Sequence, residues 1–399
     1  MVQRIEQSGR ADNLDQMKIQ EETLEMNETE YLKKRMDQVQ ATLAKAGVDV
    51  AFFTSLRSLT YVGNIYQSLA WYVNTAIVYP ASGDPMLVVP LSDRKRVIEE
   101  TCIPRIETWN PPFAGIEERS FEGILEDFVR ANKLERGTLG VEGNISWTLR
   151  SRLATTFPEA RFVFIDDLMQ GLVEVKDPME VKRMRKVGEL CTIGFEAARD
   201  NVRPGMTENE LAGIIELAVR KAGCTGYWVP NQVGTGETVL LDHYPSDRVI
   251  KDNHYVKAGV HATYKLYCGD ICNVMSLRKP EPDYLKLCNA VEEASKRTID
   301  MMRPGVRSNQ LYAKFTDYMA EAGFPNSCDW YQGHGLGTAH QKPLISPHDE
   351  TELKENMIII LNGLAQPKGM HSYINEVMLL INADGAELIS HNPMGLVQL

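Results

Sequence analysis

The stretch YVKAGVHATYKLYCGDICNVMS, Tyr255 to Ser276, decides the fold of this chain. It is rich in valine, alanine, tyrosine and cysteine, which predicts two β-strands on either side of a tight bend. Asp270 stands in it where an apolar strand should carry no charge, and a buried carboxylate must pair, accept hydrogen bonds or bind a metal. Its candidate partners are His334 in GHGLG, His340 in AHQKP and Glu376 in INEVMLLI.

The composition predicts a two-domain, enzyme-sized protein. The chain has 399 residues, which is more than one hydrophobic core usually serves. Its net charge of -11 offers no phosphate-binding surface, so we expect neither nucleic acid nor a membrane as a partner. Seven scattered cysteines without a CxxC pair, and no apolar signal segment at the N-terminus, predict a reduced, cytoplasmic protein.

Three segments follow from the patterning. Residues 1–27 predict a polar N-terminal arm, and residues 28–173, in which strands alternate with helices, predict an α/β domain. Residues 174–399 predict a second domain, which opens on a long helix with Asp177 as its cap and Pro178 at its first position. All eight histidines lie between His243 and His391, so we place the chemistry in this second domain.

The second domain contains an internal repeat with an offset of 100 residues. Arg203-Pro204-Gly205 recurs as Arg303-Pro304-Gly305, Asn209 and Leu211 recur as Asn309 and Leu311, and Ala222-Gly223 recurs as Ala322-Gly323. Two such copies predict a pseudo-symmetric sheet covered by helices. Ligands from equivalent strands would then converge near the pseudo-axis.

Several motifs in this order resemble those of the creatinase, aminopeptidase P and methionine aminopeptidase superfamily. They are VKDPMEVKRMRK, RPGMTENEL, DHYPSDRVIK, GHGLGTAHQKP and NEVMLLINADG. The resemblance covers residues 176–399 and implies an α+β pita-bread catalytic domain, preceded by an α/β domain like the N-terminal domain of creatinase.

The resemblance also implies a degenerate metal site. Metallopeptidases of this superfamily hold two metal ions on two aspartates, one histidine and two glutamates. By motif, Asp270, His334 and Glu376 match three of these ligands, whereas Gly259 and Asn362 stand at the other two positions. Two cations need bridging and terminal carboxylates, so the loss disfavours an ordinary dimetal peptidase.

We favour metal-independent hydrolysis of a non-peptide C–N bond (amide, amidine or guanidino) in a small polar metabolite, with no cofactor. Creatinase and ectoine hydrolase, which the chain resembles, perform such reactions on this fold. His243 would be the acid/base, because imidazole titrates near neutral pH, and His334 and His340 would polarise or position the substrate. The expected substrate-binding residues are Asp270, Asn362, Glu376, Cys272 and His261.

Two alternatives remain open. In the first, one divalent ion (Mn, Zn, Fe or Co) is held by Asp270, His334 and Glu376, and His261 can add a nitrogen ligand because it points to the same side of its strand as position 259. Such a site would support an Xaa-Pro peptidase-like hydrolase or a carbon–sulfur lyase of the dimethylsulfoniopropionate lyase type. In the second, the chain is a non-catalytic ligand-binding homologue.

The resemblance further implies a homodimer in which the N-terminal domain of one subunit completes the partner's site. Trp71 and Tyr72 lie in the aromatic stretch YQSLAWY of that domain and would pack on a small-molecule substrate. Cys272 is more typical of a buried inert thiol than of a nucleophile, since no basic residue adjoins it in the sequence.

Overall fold

The computed structural model describes residues 28–66, 74–110, 120–236 and 244–399. Within these ranges the helices are α1 (Glu28–Lys45), α2 (Leu56–Gly63), α3 (Arg94–Glu100), α4 (Phe121–Ala131), α5 (Trp147–Thr156), α6 (Asp166–Val173), α7 (Pro178–Asn201), α8 (Glu208–Lys221), α9 (Pro282–Met301) and α10 (Ser308–Glu321). The strands of the first part are β1 (Val50–Phe53), β2 (Ala76–Pro80), β3 (Met86–Pro90), β4 (Arg105–Trp109), β5 (Thr138–Val141) and β6 (Arg161–Phe164). Those of the second part are β7 (Gly226–Tyr227), β8 (Gln232–Thr235), β9 (Tyr255–Val260), β10 (Ala262–Tyr264), β11 (Tyr267–Cys268), β12 (Ile271–Ser276), β13 (Gly333–Leu336), β14 (His340–Leu344), β15 (Ile358–Ala365), β16 (Tyr373–Ile381), β17 (Ala386–Leu388) and β18 (Val397–Gln398).

The first part is a six-stranded mixed sheet in the order β4-β3-β2-β1-β5-β6. Strand β1 is antiparallel to β2 and parallel to β5. Alternate residues of a strand point to opposite faces, so Val50 and Phe52 enter one core while Ala51 and Phe53 enter the other. Helices cover both faces, as the alternation of strands and helices predicts.

The second part contains a large sheet in the order β14-β13-β15-β16-β12-β9-β8, with β17 paired to β16 and β18 to β12. Tyr255 to Ser276 holds more than the two strands predicted, because its bend carries the short hairpin of β10 and β11, which pairs with β7 in a separate small sheet. Lys265 and Leu266 turn this hairpin with positive φ. The hairpin places Asp270 at the start of β12.

The predicted repeat has a structural counterpart. Gly205 and Gly305 both adopt left-handed backbone, with φ of 92° and 88°, which favours glycine at these turns. The N–H of Gly205 donates to the carbonyl of Ile250 at 2.8 Å, and the N–H of Gly305 donates to that of Leu353 at 2.9 Å. The two copies meet where β12 pairs with β16, so the pseudo-axis passes between these strands.

The helix that opens the second part begins as predicted. The Asp177 carboxylate accepts from the backbone N–H of Glu180, the Glu180 side chain reaches back to the N–H of Asp177, and Pro178 is the first helical residue. Helix α7 packs on β9 and β10, and α9 packs on β15 and β16. None of the described helices has the length and apolarity needed to span a lipid bilayer.

Candidate metal centre

A row of residues crosses the large sheet at one level, beside the pseudo-axis. Gln232 lies opposite Gly259, Gly259 opposite Cys272, Cys272 opposite Glu376, and Glu376 opposite Asn362. Directly opposed residues share a face of a sheet, so their side chains line one surface. Gly259 and Asn362 therefore lie on either side of the central pair Cys272 and Glu376, one in each repeat.

Asp270 and His261 lie two residues beyond the row, on the same face of the sheet. Ile271 pairs with Val260, so the next residues outward, Asp270 and His261, face each other across the ends of β12 and β9. The Nε2 atom of His261 is 3.3 Å from Oδ1 of Asp270, and both side chains are almost completely buried. The Nδ1–H of His261 donates to the carbonyl of Pro230 at 2.8 Å, which fixes the ring.

His334 and His340 reach the other oxygen of Asp270 from the second repeat. Their Nε2 atoms lie 3.4 and 3.6 Å from Oδ2 of Asp270, and their rings stack with centroids 3.7 Å apart. The Nδ1–H of His334 donates to the carbonyl of Gly335 at 3.1 Å. The side chain of His334 is buried, whereas that of His340 is 44% exposed. His340 therefore forms the mouth of the cluster.

The electrostatics keep Asp270 ionised. Burial by itself raises the pKa of this carboxyl, but hydrogen bonds from His261, His334 and His340 outweigh burial and hold the pKa well below its usual range. A permanently charged carboxylate surrounded by imidazoles is a suitable ligand for a cation.

Glu376 has a different environment. The Nδ2–H of Asn362 donates to Oε1 of Glu376 at 2.7 Å, and both side chains are buried. A glutamate at position 362 would place a second carboxylate beside Glu376, and a cation would be needed between them. The asparagine instead donates a hydrogen bond, which stabilises Glu376 without that cation. The Oδ1 atom of Asn362 has no hydrogen-bond partner among the described residues.

The donor set fits one divalent cation and does not fit two. One ligand atom each from Asp270, His334 and His340 lie within 4.8 Å of one another, and His261 adjoins them. Nitrogen from imidazole and oxygen from one carboxylate are ordinary ligands of Zn²⁺, Fe²⁺ and Co²⁺. Gly259 brings no ligand and Asn362 donates to Glu376, so neither position offers a carboxylate to a second ion within the part of the chain that the structure describes.

Two aromatic side chains that the sequence analysis missed line the mouth. The Trp228 ring lies 4.8 Å from that of His340, and its Nε1–H donates to the carbonyl of Gly269 at 2.7 Å. The Tyr331 ring lies 5.9 Å from that of His334. The repeat offers a signal that could have found this region, since Gln232 and Gln332, each shortly after one of these aromatics, are also 100 residues apart.

The remaining predicted site residues fall into two groups. His243, Trp71 and Tyr72 lie outside the described residues. Cys272 is a buried cysteine outside any disulfide, in the row between Gly259 and Glu376. Glu376 lies in the same row and does not belong to the group of ligand atoms that converges on Asp270.

Comparison with known proteins identifies two family domains in the chain. Residues 35–172 match the creatinase/prolidase N-terminal domain, and residues 182–380 match metallopeptidase family M24. An Xaa-Pro dipeptidase of Pyrococcus furiosus is 27% identical over 256 residues, which are 63% of this chain and 73% of that protein.

Solved structures show the same fold. A prolidase from Thermococcus sibiricus superposes with a TM-score of 0.83 at 20% identity, covering 92% of this chain and 99% of that one. An Xaa-Pro dipeptidase from Bacillus anthracis superposes with a TM-score of 0.81 at 21% identity, covering 92% of this chain and 100% of that one. The predicted α/β domain followed by a pita-bread domain is thereby confirmed.

The relatives also correct the functional prediction. They are named as peptidases of the Xaa-Pro type, so the expected metal-independent hydrolysis of a non-peptide C–N bond is wrong. The expectation of no cofactor has no support either, since the matched family is one of metallopeptidases and the buried donors fit a cation. The loss of two carboxylates does not abolish the metal site, because three imidazoles still converge on Asp270. The chain belongs to the creatinase, aminopeptidase P and methionine aminopeptidase superfamily, with a creatinase-type N-terminal domain and an M24 pita-bread domain.

Proposed function

We propose that the chain is a metal-assisted peptidase that hydrolyses the peptide bond before proline in Xaa-Pro dipeptides. The observation that carries this proposal is the convergence of three imidazole Nε2 atoms on the ionised carboxylate of Asp270. The substrate class comes from the relatives, whose names describe Xaa-Pro dipeptidases and prolidases. A divalent cation bound here would polarise the scissile carbonyl and lower the pKa of water.

Glu376 is the proton acceptor in this proposal. It is the carboxylate of the row that stands apart from the ligand group, and the amide of Asn362 fixes one of its oxygens. A carboxylate so oriented can take a proton from the attacking water and deliver it to the leaving proline nitrogen. Asn362 is then a positioning residue, because it acts through Glu376.

His340 and Trp228 face the substrate. His340 is exposed at the mouth, where it can donate a hydrogen bond to the carbonyl oxygen as negative charge develops there. Trp228 is held to the carbonyl of Gly269, the residue before Asp270, and its ring offers an apolar surface for a pyrrolidine ring. The pairing of these two rings, 4.8 Å apart, places an apolar wall next to a polar donor.

A homodimer in the cytoplasm would match the resemblance, and both features belong to the proposal. His243 would add a second imidazole donor, and Trp71 and Tyr72 would close the site from the partner subunit. Replacement of Trp71 or Tyr72 by alanine should raise KM for the dipeptide. An unchanged KM in both aromatic variants would remove the shared-site element.

The test is hydrolysis of Ala-Pro, with Ala-Ala and Pro-Ala as matched substrates. Protein stripped by a chelator should be inactive, and Zn²⁺, Mn²⁺, Fe²⁺ or Co²⁺ should restore cleavage of Ala-Pro. We expect at least about tenfold preference for Ala-Pro, because a site that stacks the proline ring gains about 1–3 kcal/mol. Failure of every reconstituted form to cleave Ala-Pro contradicts the substrate class, and cleavage that survives chelation contradicts the metal dependence.

A further inference from the structure

Position 259 is the place where this chain departs most clearly from a carboxylate-rich site. Gly259 has no side chain, yet the space above it is occupied. A Cβ added to Gly259 would lie 3.2 Å from Cε1 of His261 and 3.3 Å from Cβ of Gln232. The His261 ring, which comes from two residues further along the chain, therefore lies against the glycine and, with Gln232, borders the space that a side chain at position 259 would enter.

We propose that His261 replaces that carboxylate as a metal ligand, so that the chain holds a single cation on Asp270, His261 and His334. This inference rests on the metal dependence of the proposed function and is independent of its substrate. The three side chains are buried and come from both repeats, and the two imidazoles approach opposite oxygens of Asp270. His340, which is exposed, stays available to the substrate.

The orientation of His261 is fixed from two sides. Its backbone N–H donates to Oδ1 of Asn231 at 2.8 Å, and its Nδ1–H donates to the carbonyl of Pro230 at 2.8 Å. A carbonyl oxygen can only accept, so Nδ1 is the donor and Nε2 is the atom left to face Asp270. Metal-binding histidines are characteristically held in this way, with the distal nitrogen bonded to a carbonyl or carboxylate.

His334 repeats this arrangement on the other half of the domain. Its Nδ1–H donates to the carbonyl of Gly335 at 3.1 Å, and its Nε2 faces the second oxygen of Asp270. Two rings, each fixed through Nδ1, thus direct Nε2 at the two oxygens of one carboxylate. Three ligands with one open side are the usual frame of a catalytic mononuclear site.

The ligand set predicts which cation binds. Imidazole nitrogen suits Zn²⁺, Fe²⁺ and Co²⁺, whereas carboxylate-rich sites suit Mn²⁺ and Mg²⁺. Exchange of the carboxylate at 259 for the nitrogen of His261 should therefore shift preference towards Zn²⁺ over Mn²⁺. The bond from Asn362 to Glu376 holds the stoichiometry at one, because a donor stands where a second cation would need a ligand.

The test measures metal binding directly, without activity. Equilibrium dialysis with elemental analysis should give one Zn²⁺ per wild-type chain, and binding of Zn²⁺ stronger than that of Mn²⁺. His261→Ala should weaken Zn²⁺ binding at least about 100-fold, and His261→Gln, which keeps most of the bulk, should do the same. His348→Ala, which removes an exposed histidine elsewhere, should bind as the wild type. Circular dichroism of the apo-proteins shows whether each variant is folded.

A second variant tests the stoichiometry. Gly259→Asp, His261→Ala and Asn362→Glu together restore carboxylates at both vacant positions and clear the ring from above position 259, so the triple variant should bind two cations. The Co²⁺ form gives an independent reading, since its visible spectrum should change in His261→Gln and remain unchanged in His348→Ala.

The outcomes separate the two proposals. Wild-type affinity in folded His261→Ala and His261→Gln, or two tightly bound ions in the wild type, would overturn the role of His261. One Zn²⁺ bound through His261 in a protein that does not cleave Ala-Pro would leave this site standing and reject the proposed function alone.

Discussion

Two buried charge clusters lie close together in the chain and differ in how they are neutralised. The junction cluster contains Arg35 of α1, Tyr61 of α2, Asp177 and Glu180 at the start of α7, and Tyr267. The Asp270 cluster contains Asp270, which is three residues after Tyr267 in the chain, with His261, His334 and His340. Each has an almost completely buried carboxylate, Glu180 in the junction cluster and Asp270 in the other, so the burial of a carboxylate alone does not distinguish them.

The junction cluster is closed on itself. The guanidinium of Arg35 donates to Asp177 and to the carbonyl of Tyr61, and lies 3.3 Å from Oε2 of Glu180. The hydroxyl of Tyr267 donates to the other oxygen of Glu180 at 3.0 Å. Burial lowers the pKa of Arg35, but Tyr267 and the two carboxylates outweigh burial and raise it further above its usual value. This cluster joins α1 of the first domain to α7 of the second.

In the Asp270 cluster, three imidazole rings converge on one carboxylate. His261 and His334 are held through Nδ1 by main-chain carbonyls, and His340 opens to solvent. A buried charge thus indicates a ligand site where several fixed groups converge and one side stays accessible, whereas mutual pairing indicates a structural role. Substitution of a residue in the Asp270 cluster should therefore affect metal binding and catalysis. Substitution of a residue in the junction cluster should affect the stability of the fold.

The largest effect should follow Asp270→Asn. The amide keeps the shape but removes the charge that draws the cation, so Zn²⁺ binding should be lost and kcat/KM for Ala-Pro should fall on the order of 10⁴-fold, about 5 kcal/mol. Asp384→Asn, on an exposed turn, is the control and should behave as the wild type. Retention of one Zn²⁺ and of a tenth of the activity in Asp270→Asn would show that the cluster is structural.

The opposite pattern is expected for Arg35→Met. Removal of Arg35 leaves the buried Glu180 and the partly exposed Asp177 without their cation, which should lower the free energy of unfolding by about 4 kcal/mol. Zn²⁺ stoichiometry should stay at one. Urea denaturation with parallel dialysis measures both, and Lys34→Met, whose side chain is 62% exposed, is the matched control. Unchanged stability together with lost Zn²⁺ would reverse the roles assigned to the two clusters.

Helix starts and turns of this fold could be predicted because each depends on a few neighbouring residues in the sequence. Asp177 followed by Pro178 marks a helix start whatever surrounds it, and the glycines of the two RPG turns mark left-handed turns. The hairpin of β10 and β11 was missed because two positive-φ residues, Lys265 and Leu266, are not glycine or asparagine. Their conformation is set by the hairpin, which the sequence pattern does not reveal.

The site could be predicted only in part, for a reason of register. Asp270, His334 and His340 follow from motif positions, and the structure brings them together. A count of ligands position by position records Gly259 as a loss, and only the strand geometry shows the His261 ring lying over it. Glu376 lies opposite Cys272, two residues from Asp270. The motif joins it to the ligand set, although it accepts a hydrogen bond from Asn362 and lies outside the group of ligand atoms around Asp270.

Glu376→Gln sharpens the distinction within the site itself. The glutamine is isosteric but cannot accept the proton of water, so kcat for Ala-Pro should fall about 100-fold, close to 3 kcal/mol, with one Zn²⁺ retained. Kinetics and metal analysis on the same preparation measure both. If Glu376→Gln loses the cation instead, Glu376 is a ligand and the proton acceptor must be sought elsewhere.

The smallest effect is a dependence of stability on pH that originates at the junction. Burial lowers the pKa of Lys176 to about 7, against the partial compensation of Glu180 and with Arg57 and Glu174 as its other charged neighbours. The unfolded chain keeps this proton up to about pH 10.5 while the folded chain releases it near 7, so the unfolded state binds more protons between these values and stability rises with pH. From pH 7 to 9 the free energy of unfolding should rise by about 2 kcal/mol.

The upper limit of pH 9 in the measurement avoids the range in which tyrosines of the unfolded chain ionise. Lys176→Met should remove this part of the slope in urea denaturation at the two pH values, and Lys368→Met, on an exposed lysine elsewhere in the domain, should preserve it. An equal slope in Lys176→Met and the wild type would mean that Lys176 stays charged in the folded protein, and that the junction, like the Asp270 cluster, carries a charge that its neighbours fully stabilise.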